Sequence, residues 1–145
     1  MSCCTACRNC ASCRAIWLGV MGLGELGLDA VAKLRVIGFD VAGWSRSPKA
    51  IEGVPTYSGE AGMAEFLART DILVCLVPLT PDTRGMLNRA LFAGLARNGR
   101  LGGPVLINAG RGGLQVEADI LAALAAGELK AAVLDVFETE PLPQD

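Results

Sequence analysis

Three glycines near the start of the chain have a spacing that is typical of pyrophosphate binding. They form the pattern Gly22-x-Gly24-x-x-Gly27, which follows an apolar run and precedes a segment of helical periodicity. Gly22 allows a tight turn, Gly24 lets the backbone approach the anion, and Gly27 lets the helix pack close to the strand. The helix N-terminus adds unpaired N–H groups and a partial positive charge. The pattern predicts a dinucleotide site, although glycines that serve only a tight turn would look the same.

A short polar turn after the second predicted strand indicates which dinucleotide binds. An NAD-specific site usually has an acidic residue there, about 20 residues beyond the glycines, to hold the ribose hydroxyls. This chain instead has Ser45, Arg46 and Ser47, followed by Lys49. Arg46 can pair with a 2′-phosphate, and Ser45 or Ser47 can donate hydrogen bonds to it. The turn predicts a preference for NADP(H), with NAD(H) as a second cofactor; the alternative is a solvated basic turn.

An arginine follows another buried strand, in the sequence Asn108-Ala-Gly-Arg111-Gly-Gly. The planar guanidinium of Arg111 can bind a carboxylate through two hydrogen bonds. Asn108 ends the strand and is assigned to the cofactor side of the same edge. The alternative for Arg111 is a surface arginine after a glycine turn.

Five of the six cysteines lie in the first thirteen residues: Cys3, Cys4, Cys7, Cys10 and Cys13. A C-x-x-C pair can bind zinc or undergo redox chemistry, and this spacing occurs in iron–sulfur proteins. No later Cys or His pair completes a separate site, so no metal site is predicted and residues 1–15 are expected to be a disordered or non-native leader. Adventitious metal binding or oxidation, or a real cluster, are the alternatives. Cys75 lies in an apolar run and is predicted to be a buried small hydrophobic residue.

The composition excludes several classes of protein. The chain has 145 residues, of which 52% are hydrophobic and 19% charged, and this argues against a disordered chain. The net charge of −2 argues against a nucleic-acid partner, and no apolar run reaches the roughly 18 residues of a membrane span. From residue 16 onward the sequence is typical of a cytoplasmic protein. The chain has no histidine, so these residues alone cannot complete a mechanism that needs a histidine acid or base.

Predicted strands and helices alternate along the chain and would position these residues. Strands are expected at 15–21, 39–44, 54–57, 71–77, 104–108 and 131–136, and helices at 26–37, 62–69, 88–96 and 116–126. Leu26 and Ile37 are expected on the buried face of the first helix, and Leu121 on that of the last. The alternation predicts an α/β fold with a Rossmann-type doubly wound parallel sheet. The carboxyl ends of its strands would gather Gly22, Ser45, Pro78, Asn108 and Asp135 at one ligand-binding edge.

The segment from Leu18 to Pro143 resembles the cofactor-binding domain of the D-2-hydroxyacid dehydrogenases. The matching motifs are GLGELG, PLTPDTRGMLN, LINAGRGGLQVEADILAAL and LDVFETEPLP, in the order and spacing of that family. Within the family, the SRS turn and the LGGPVLINAGRGG stretch look most like the NADPH-preferring glyoxylate/hydroxypyruvate reductases. Residues 16–145 are therefore expected to form a dinucleotide-binding domain.

The resemblance implies a role for each matching position. Arg111 would grip the substrate carboxylate and polarise the keto group, and Glu140 would orient the catalytic histidine. Asp135 would hold the nicotinamide carboxamide, and Pro78 would border the adenosine. The residues beneath the pyrophosphate would be Gly24, Glu25 and Leu26. The implied reaction is hydride transfer from the nicotinamide to a small 2-keto acid, with histidine as the proton donor.

The sequence also departs from the family pattern. The family histidine lies beyond the EPLP motif, and the family has a substrate domain built from both chain ends. We therefore expect a fragment with a sheet that is incomplete at its C-terminal edge and without significant reductase activity of its own. The family commonly dimerises through its cofactor domain, so a homodimer is a further expectation. Two alternatives are a non-catalytic NADPH-binding module and a metal or redox protein that uses the N-terminal cysteines.

Overall fold

The computed structural model describes residues 15–144, which form one six-stranded sheet with flanking helices. The strands are β1 Trp17–Met21, β2 Asp40–Ser45, β3 Thr56–Ser58, β4 Ile72–Cys75, β5 Val105–Asn108 and β6 Ala131–Leu134. The helices are α1 Glu25–Ile37, α2 Gly59–Arg69, α3 Arg89–Ala93 and α4 Glu117–Ala125, with one 3-10 turn at Gly112–Leu114. Each predicted element is present, and no boundary differs by more than three residues.

The strand order shows that the sheet is wound in two directions. All pairings are parallel, and the spatial order is β3-β2-β1-β4-β5-β6. The chain builds β2 and β3 on one side of β1, and then crosses back to build β4, β5 and β6 on the other. This reversal creates a crevice at the carboxyl ends of β1 and β4, where open α/β sheets bind ligands. The expected Rossmann-type doubly wound sheet is confirmed.

The strand register brings the candidate loops to one edge. Met21 pairs with Trp44 on one side and with Cys75 on the other. Asn108 pairs with Cys75 and with Leu134. The segments that follow β1, β2, β4, β5 and β6 therefore begin side by side, as predicted.

Both faces of the sheet carry buried apolar side chains. Met21 belongs to a larger cluster that includes residues of α2, α3 and α4, whereas Val20 belongs to a smaller cluster beside α1, since neighbouring strand residues point to opposite faces. The sheet face that packs against α1 is less covered near β6, where Val133 is 55% exposed. Among the described strands β6 pairs only with β5, so the C-terminal edge of this sheet is open. A further strand at that edge stays a prediction.

Three apolar residues that were expected in the core are exposed. Leu26 and Ile37 of α1 are 62% and 71% exposed, and Leu121 of α4 is 68% exposed. In α1 only Gly27 and Val31 are buried, because the helix meets the sheet along a narrow stripe. Leu121 lies roughly 100° around the axis of α4 from the buried Ile120, and it therefore does not face the sheet.

Cys75 is fully buried in β4, as expected of a small hydrophobic residue. Burial raises the pKa of its thiol to about 11, although a backbone hydrogen bond from Val77 lowers it. The thiol is therefore protonated at neutral pH and poorly nucleophilic. The other five cysteines, with residues 1–14 of the predicted leader, lie outside the described residues.

Residues 15–144 contain no group of three or more His, Cys, Asp or Glu side chains that could hold a metal ion. None of their helices combines the length and apolar character needed to cross a membrane.

Candidate functional site

An open cavity of about 540 Å³ lies at the carboxyl edge of the sheet, between the loops that follow β1 and β4. Three segments line it, namely 24–27, 76–79 and 109–111. It therefore brings together six of the predicted site residues: Gly24, Glu25, Leu26, Gly27, Pro78 and Arg111. A cavity of this size at the reversal of a doubly wound sheet fits part of a dinucleotide.

The three glycines differ in what surrounds them. Gly22 has a φ of 106°, and a Cβ there would lie 2.8 Å from the backbone of Leu76. A Cβ on Gly27 would collide with the carbonyl oxygen of Gly22, so α1 and β1 lie too close for any side chain. A Cβ on Gly24 would meet no atom within 4 Å, because Gly24 faces the open cavity. Two glycines therefore shape the turn, and the third leaves room for a ligand.

The first turn of α1 is open to an anion. Gly24 is its N-cap residue, and no side chain caps the helix. The unpaired N–H groups and the helix dipole favour a negative group there. Lys49 Nζ donates a hydrogen bond to the carbonyl oxygen of Leu23 and so joins the glycine loop to the turn after β2. A glycine that leaves open space and an uncapped helix N-terminus fit the pyrophosphate of a dinucleotide.

The turn after β2 presents basic and hydroxyl groups without a carboxylate. The buried Ser45 hydroxyl donates to the Ser47 carbonyl oxygen at 2.7 Å, which tightens the turn. Arg46 is exposed. Ser45 therefore has its hydroxyl proton engaged, whereas Arg46 and Ser47 stay predicted phosphate contacts. Lys49, four residues beyond Ser45, adds a second cation that sequence reasoning did not assign to the site.

The loop after β4 is a fixed turn on the same cavity. The Pro78 carbonyl oxygen accepts a hydrogen bond from the Thr83 hydroxyl at 2.7 Å. The Thr80 amide donates to that same hydroxyl oxygen at 2.8 Å. Pro78 thus lines the cavity from a loop that is held by hydrogen bonds. Its place beside the adenosine stays a prediction.

A buried amide network holds the loop that carries Arg111. The Asn108 side chain is fully buried, and its Nδ2 donates to the Arg111 carbonyl oxygen at 3.2 Å and to Gln115 Oε1 at 2.9 Å. Its Oδ1 accepts from the Gly110 amide at 3.0 Å. Asn108, predicted as a cofactor contact, has its side chain engaged within the protein and supports the site through this loop. The exposed Arg111 guanidinium donates to the Gly110 carbonyl oxygen at 2.9 Å.

A second cavity, of about 410 Å³, adjoins the same loop. Arg111 and Glu140, the two predicted catalytic residues, both line it, and Arg111 lines the first cavity as well. Gly112 lies against the Phe137 carbonyl group so closely that a Cβ would collide with it. Glu140 Oε1 accepts from the Phe137 amide at 2.8 Å, which folds this carboxylate back onto its own segment. The structure thus places Arg111 and Glu140 on one cleft, and their roles stay predictions.

Asp135 reaches the same edge but lines neither cavity. Its amide donates to the Asn108 carbonyl oxygen at 3.0 Å, which extends the β5–β6 pairing by one residue. Its assigned contact with the nicotinamide stays a prediction. Sequence reasoning missed Gln115, Glu117 and Glu138, which fasten the chain after Asp135 to the Arg111 loop.

Comparison with known proteins identifies the family. Residues 8–145 match the family described as D-isomer specific 2-hydroxyacid dehydrogenase, NAD binding domain. The chain is 50% identical over 127 residues to the glyoxylate/hydroxypyruvate reductase A of Serratia proteamaculans, an alignment that covers 88% of this chain and 39% of that protein. The chain therefore spans about two fifths of the length of the curated relatives it matches.

Solved structures show the same fold. The NADPH-dependent glyoxylate/hydroxypyruvate reductase from Sinorhizobium meliloti, in complex with NADP and sulfate, has a TM-score of 0.86 and 62% identity, over 90% of this chain and 41% of that one. A D-isomer specific 2-hydroxyacid dehydrogenase from Xanthobacter autotrophicus Py2, in complex with NADPH and MES, has a TM-score of 0.82 and 47% identity, over 94% and 41%. The expected resemblance is confirmed, and the chain belongs to the D-isomer specific 2-hydroxyacid dehydrogenase family, of which it represents the NAD-binding domain.

Proposed function

We propose that residues 16–145 form the dinucleotide-binding domain of an NADPH-dependent reductase of small 2-keto acids such as glyoxylate or hydroxypyruvate. The observation that carries the proposal is the turn after β2, where Arg46 and Lys49 occur without a carboxylate, next to an uncapped helix N-terminus. A carboxylate there would repel a 2′-phosphate, whereas a guanidinium can bind one through two hydrogen bonds. The similar solved structures that hold NADP or NADPH support this preference.

The cavity residues would divide the binding of the cofactor among them. Gly24 and the first turn of α1 would hold the pyrophosphate, and Arg46 with Ser47 would hold the 2′-phosphate. Pro78 would border the adenosine, and Asp135 the nicotinamide carboxamide. When bound, NADPH supplies the hydride that reduces the keto carbon.

The second cavity would receive the substrate. Arg111 would bind its carboxylate and stabilise negative charge on the keto oxygen, and its position on both cavities supports this role. Glu140 would orient a histidine that donates the proton. The sequence has no histidine, so the proton donor is not among these 145 residues. We therefore propose that this chain binds NADPH without turning over a keto acid.

Calorimetric titration of the purified chain with NADPH and, separately, with NADH tests the proposal. NADPH should bind more tightly than NADH. Arg46→Ala should weaken NADPH binding about 10- to 100-fold, because charged hydrogen bonds contribute about 1.5–3 kcal/mol and each 1.4 kcal/mol is tenfold. It should leave NADH binding unchanged. Arg100→Ala, which removes an exposed arginine from the loop before β5, is the matched control and should change neither affinity.

Two outcomes would contradict the proposal. If neither dinucleotide binds, the glycine loop is not a working site; if both bind equally, Arg46 does not read the 2′-phosphate. Incubation with NADPH and glyoxylate completes the test, and we expect no loss of NADPH absorbance. A non-catalytic NADPH-binding module is the second candidate function, which the absence of histidine from the sequence favours.

A further inference from the structure

The segment 136–140 reaches the site without a regular element to hold it. Asp135 makes the last hydrogen bond to β5, through its amide. Among residues 15–144, each hydrogen bond that joins 136–140 to the rest of the chain involves Gln115 or Glu117. The position of Glu140 therefore depends on the side chains of Gln115, Glu117 and Glu138, which the proposed function does not otherwise use.

Two carboxylates form a reciprocal contact between this segment and α4. Glu117 Oε1 accepts a hydrogen bond from the Glu138 amide at 2.6 Å. Glu138 Oε1 accepts one from the Glu117 amide at the same distance. We call this pair of hydrogen bonds the carboxylate clasp. It resembles a capping box in its reciprocal side chain–backbone hydrogen bonds, but its two residues are 21 positions apart in the sequence.

The start of α4 explains why the clasp is needed. The N-cap residue of α4 is Val116, which has no side-chain oxygen, and no side chain of the N-cap satisfies the first amides. Glu138 supplies the missing acceptor from outside the helix. Its negative charge also lies at the positive end of the helix dipole, which is favourable. The helix start and the segment 136–140 therefore stabilise each other.

Gln115 connects the clasp to the Arg111 loop. Its Nε2 donates to Glu117 Oε1 at 3.2 Å and to the Val136 carbonyl oxygen at 3.0 Å. Its Oε1 accepts from Asn108 Nδ2, which also holds the Arg111 carbonyl oxygen. A continuous set of hydrogen bonds thus runs from the loop that carries Arg111 to the segment that carries Glu140.

We propose that Glu117 is a positioning residue for the candidate substrate cleft. Through Glu138 and Gln115 it holds the segment 136–140 against Gly112, so that Glu140 and Arg111 line the same cavity. The cleft's role in substrate binding rests on the proposed function, but the contact itself is measurable without any ligand. Because Gly112 touches the backbone of residues 137 and 138, an NMR cross-peak between the Gly112 Hα and the Glu138 amide reports whether the segment is docked.

The test compares Glu117→Ala with two other variants. Glu117→Ala should weaken the Gly112–Glu138 cross-peak and speed exchange of the Glu138 amide hydrogen about 10- to 100-fold, as expected for loss of a charged hydrogen bond. The cross-peaks between β5 and β6 should remain. Glu117→Gln keeps one acceptor oxygen and should restore most of the protection. Glu60→Ala removes a carboxylate from the first turn of α2, so it controls for loss of a helix-dipole partner and should change neither signal.

A second variant keeps the test decisive if Glu117→Ala does not fold. Glu138→Ala removes the other half of the clasp and should also weaken the cross-peak. A cross-peak of wild-type intensity together with wild-type amide protection in a folded Glu117→Ala or Glu138→Ala variant would overturn the proposal. A parallel NADPH titration distinguishes the proposed function from the positioning role of Glu117. If wild-type protein fails to bind NADPH, the proposed function is contradicted, but the NMR measurement still tests the clasp.

Discussion

The glycine loop and the segment 136–140 deliver site residues to the same edge of the sheet, but they are held in different ways. The glycine loop is fixed chiefly by backbone, through the positive φ of Gly22 and the contact of Gly27 with the Gly22 carbonyl group, and Lys49 adds one side-chain hydrogen bond to the Leu23 carbonyl oxygen. The segment 136–140 is fixed by the side chains of Gln115, Glu117 and Glu138. One region therefore depends on the absence of side-chain atoms, and the other on the presence of particular polar atoms.

This difference predicts opposite sensitivities to mutation. Adding one methyl group to a backbone-fixed loop forces backbone atoms apart, and the protein has no flexible group there that can move away. Removing polar atoms from a side-chain-fixed segment leaves the sheet intact and releases only the segment. Substitution of Gly22 or Gly27 should thus impair dinucleotide binding together with the fold, whereas the substrate half can fail while the fold stays intact.

Gly27→Ala is expected to have the largest effect. Its methyl group would overlap the Gly22 carbonyl oxygen, a backbone atom at the start of the tight turn. Overpacking of this kind costs about 3 kcal/mol, which exceeds the gain of about 1 kcal/mol from the higher helix propensity of alanine. Urea denaturation should show a clear loss in the free energy of unfolding, together with loss of NADPH binding.

Gly24→Ala is the matched control for that variant. A Cβ at Gly24 meets no protein atom within 4 Å, and its φ of −75° is open to alanine. Its free energy of unfolding should stay within about 1 kcal/mol of wild type, the cost of alanine at an N-cap, whereas NADPH binding should weaken because the methyl group enters the proposed pyrophosphate space. Equal stabilities of the Gly24 and Gly27 variants would show that the close helix–strand contact is not what requires glycine.

Asn108→Ala tests the junction between the two regions and should have a smaller effect. The substitution leaves the Gly110 amide and Gln115 Oε1 without their buried partner, which costs about 2 kcal/mol. Asn88→Ala removes the N-cap of α3, where the asparagine accepts from Leu91, and should cost about 1 kcal/mol. Thermal denaturation should show a larger loss of stability for Asn108→Ala than for Asn88→Ala. The reverse result would contradict the prediction.

The glycine loop was predictable because the residues that set its steric requirements are close together in the sequence. Gly22 and Gly27 interact with each other five positions apart, and the strand and helix around them follow directly in sequence. The same holds for the parallel sheet, whose short apolar runs alternate with helical segments. Periodicity does not give the width of a buried stripe, and this is why Leu26 and Leu121 were placed wrongly in the core.

The clasp could not be predicted in the same way. Its carboxylates lie 21 residues apart, and Glu117 and Glu138 both have the appearance of ordinary surface acids in the sequence. The contact of Lys49 with Leu23 spans 26 residues and was missed for the same reason. The uncapped Val116 at the start of α4 is the one local signal, since a helix without a capping side chain requires an acceptor from elsewhere.

The smallest expected effect belongs to a surface ion pair at the far end of α4. Arg89 donates two hydrogen bonds to the Glu128 carboxylate, at 2.8 and 2.6 Å, and these bonds together with the charge of Arg89 hold the pKa of that carboxyl below its ordinary value. A lowered pKa means that the folded state favours the ionised form. The stabilisation is therefore full at neutral pH and is lost as the pH falls through the pKa of the folded state.

Glu128→Gln should lower the melting temperature slightly at neutral pH. In acid the variant should match wild type, because the Glu128 carboxylate of wild-type protein is then protonated in both the folded and the unfolded state. Thermal melts of the two proteins across the acidic range measure this difference. The variant should also keep the Gly112–Glu138 cross-peak, because Glu128 follows the C-terminal end of α4, whereas the clasp lies at its N-terminal end. A difference that grows in acid would contradict the lowered pKa of Glu128. A lost cross-peak would show that the two ends of α4 are coupled and that the segment 136–140 is not held by the clasp alone.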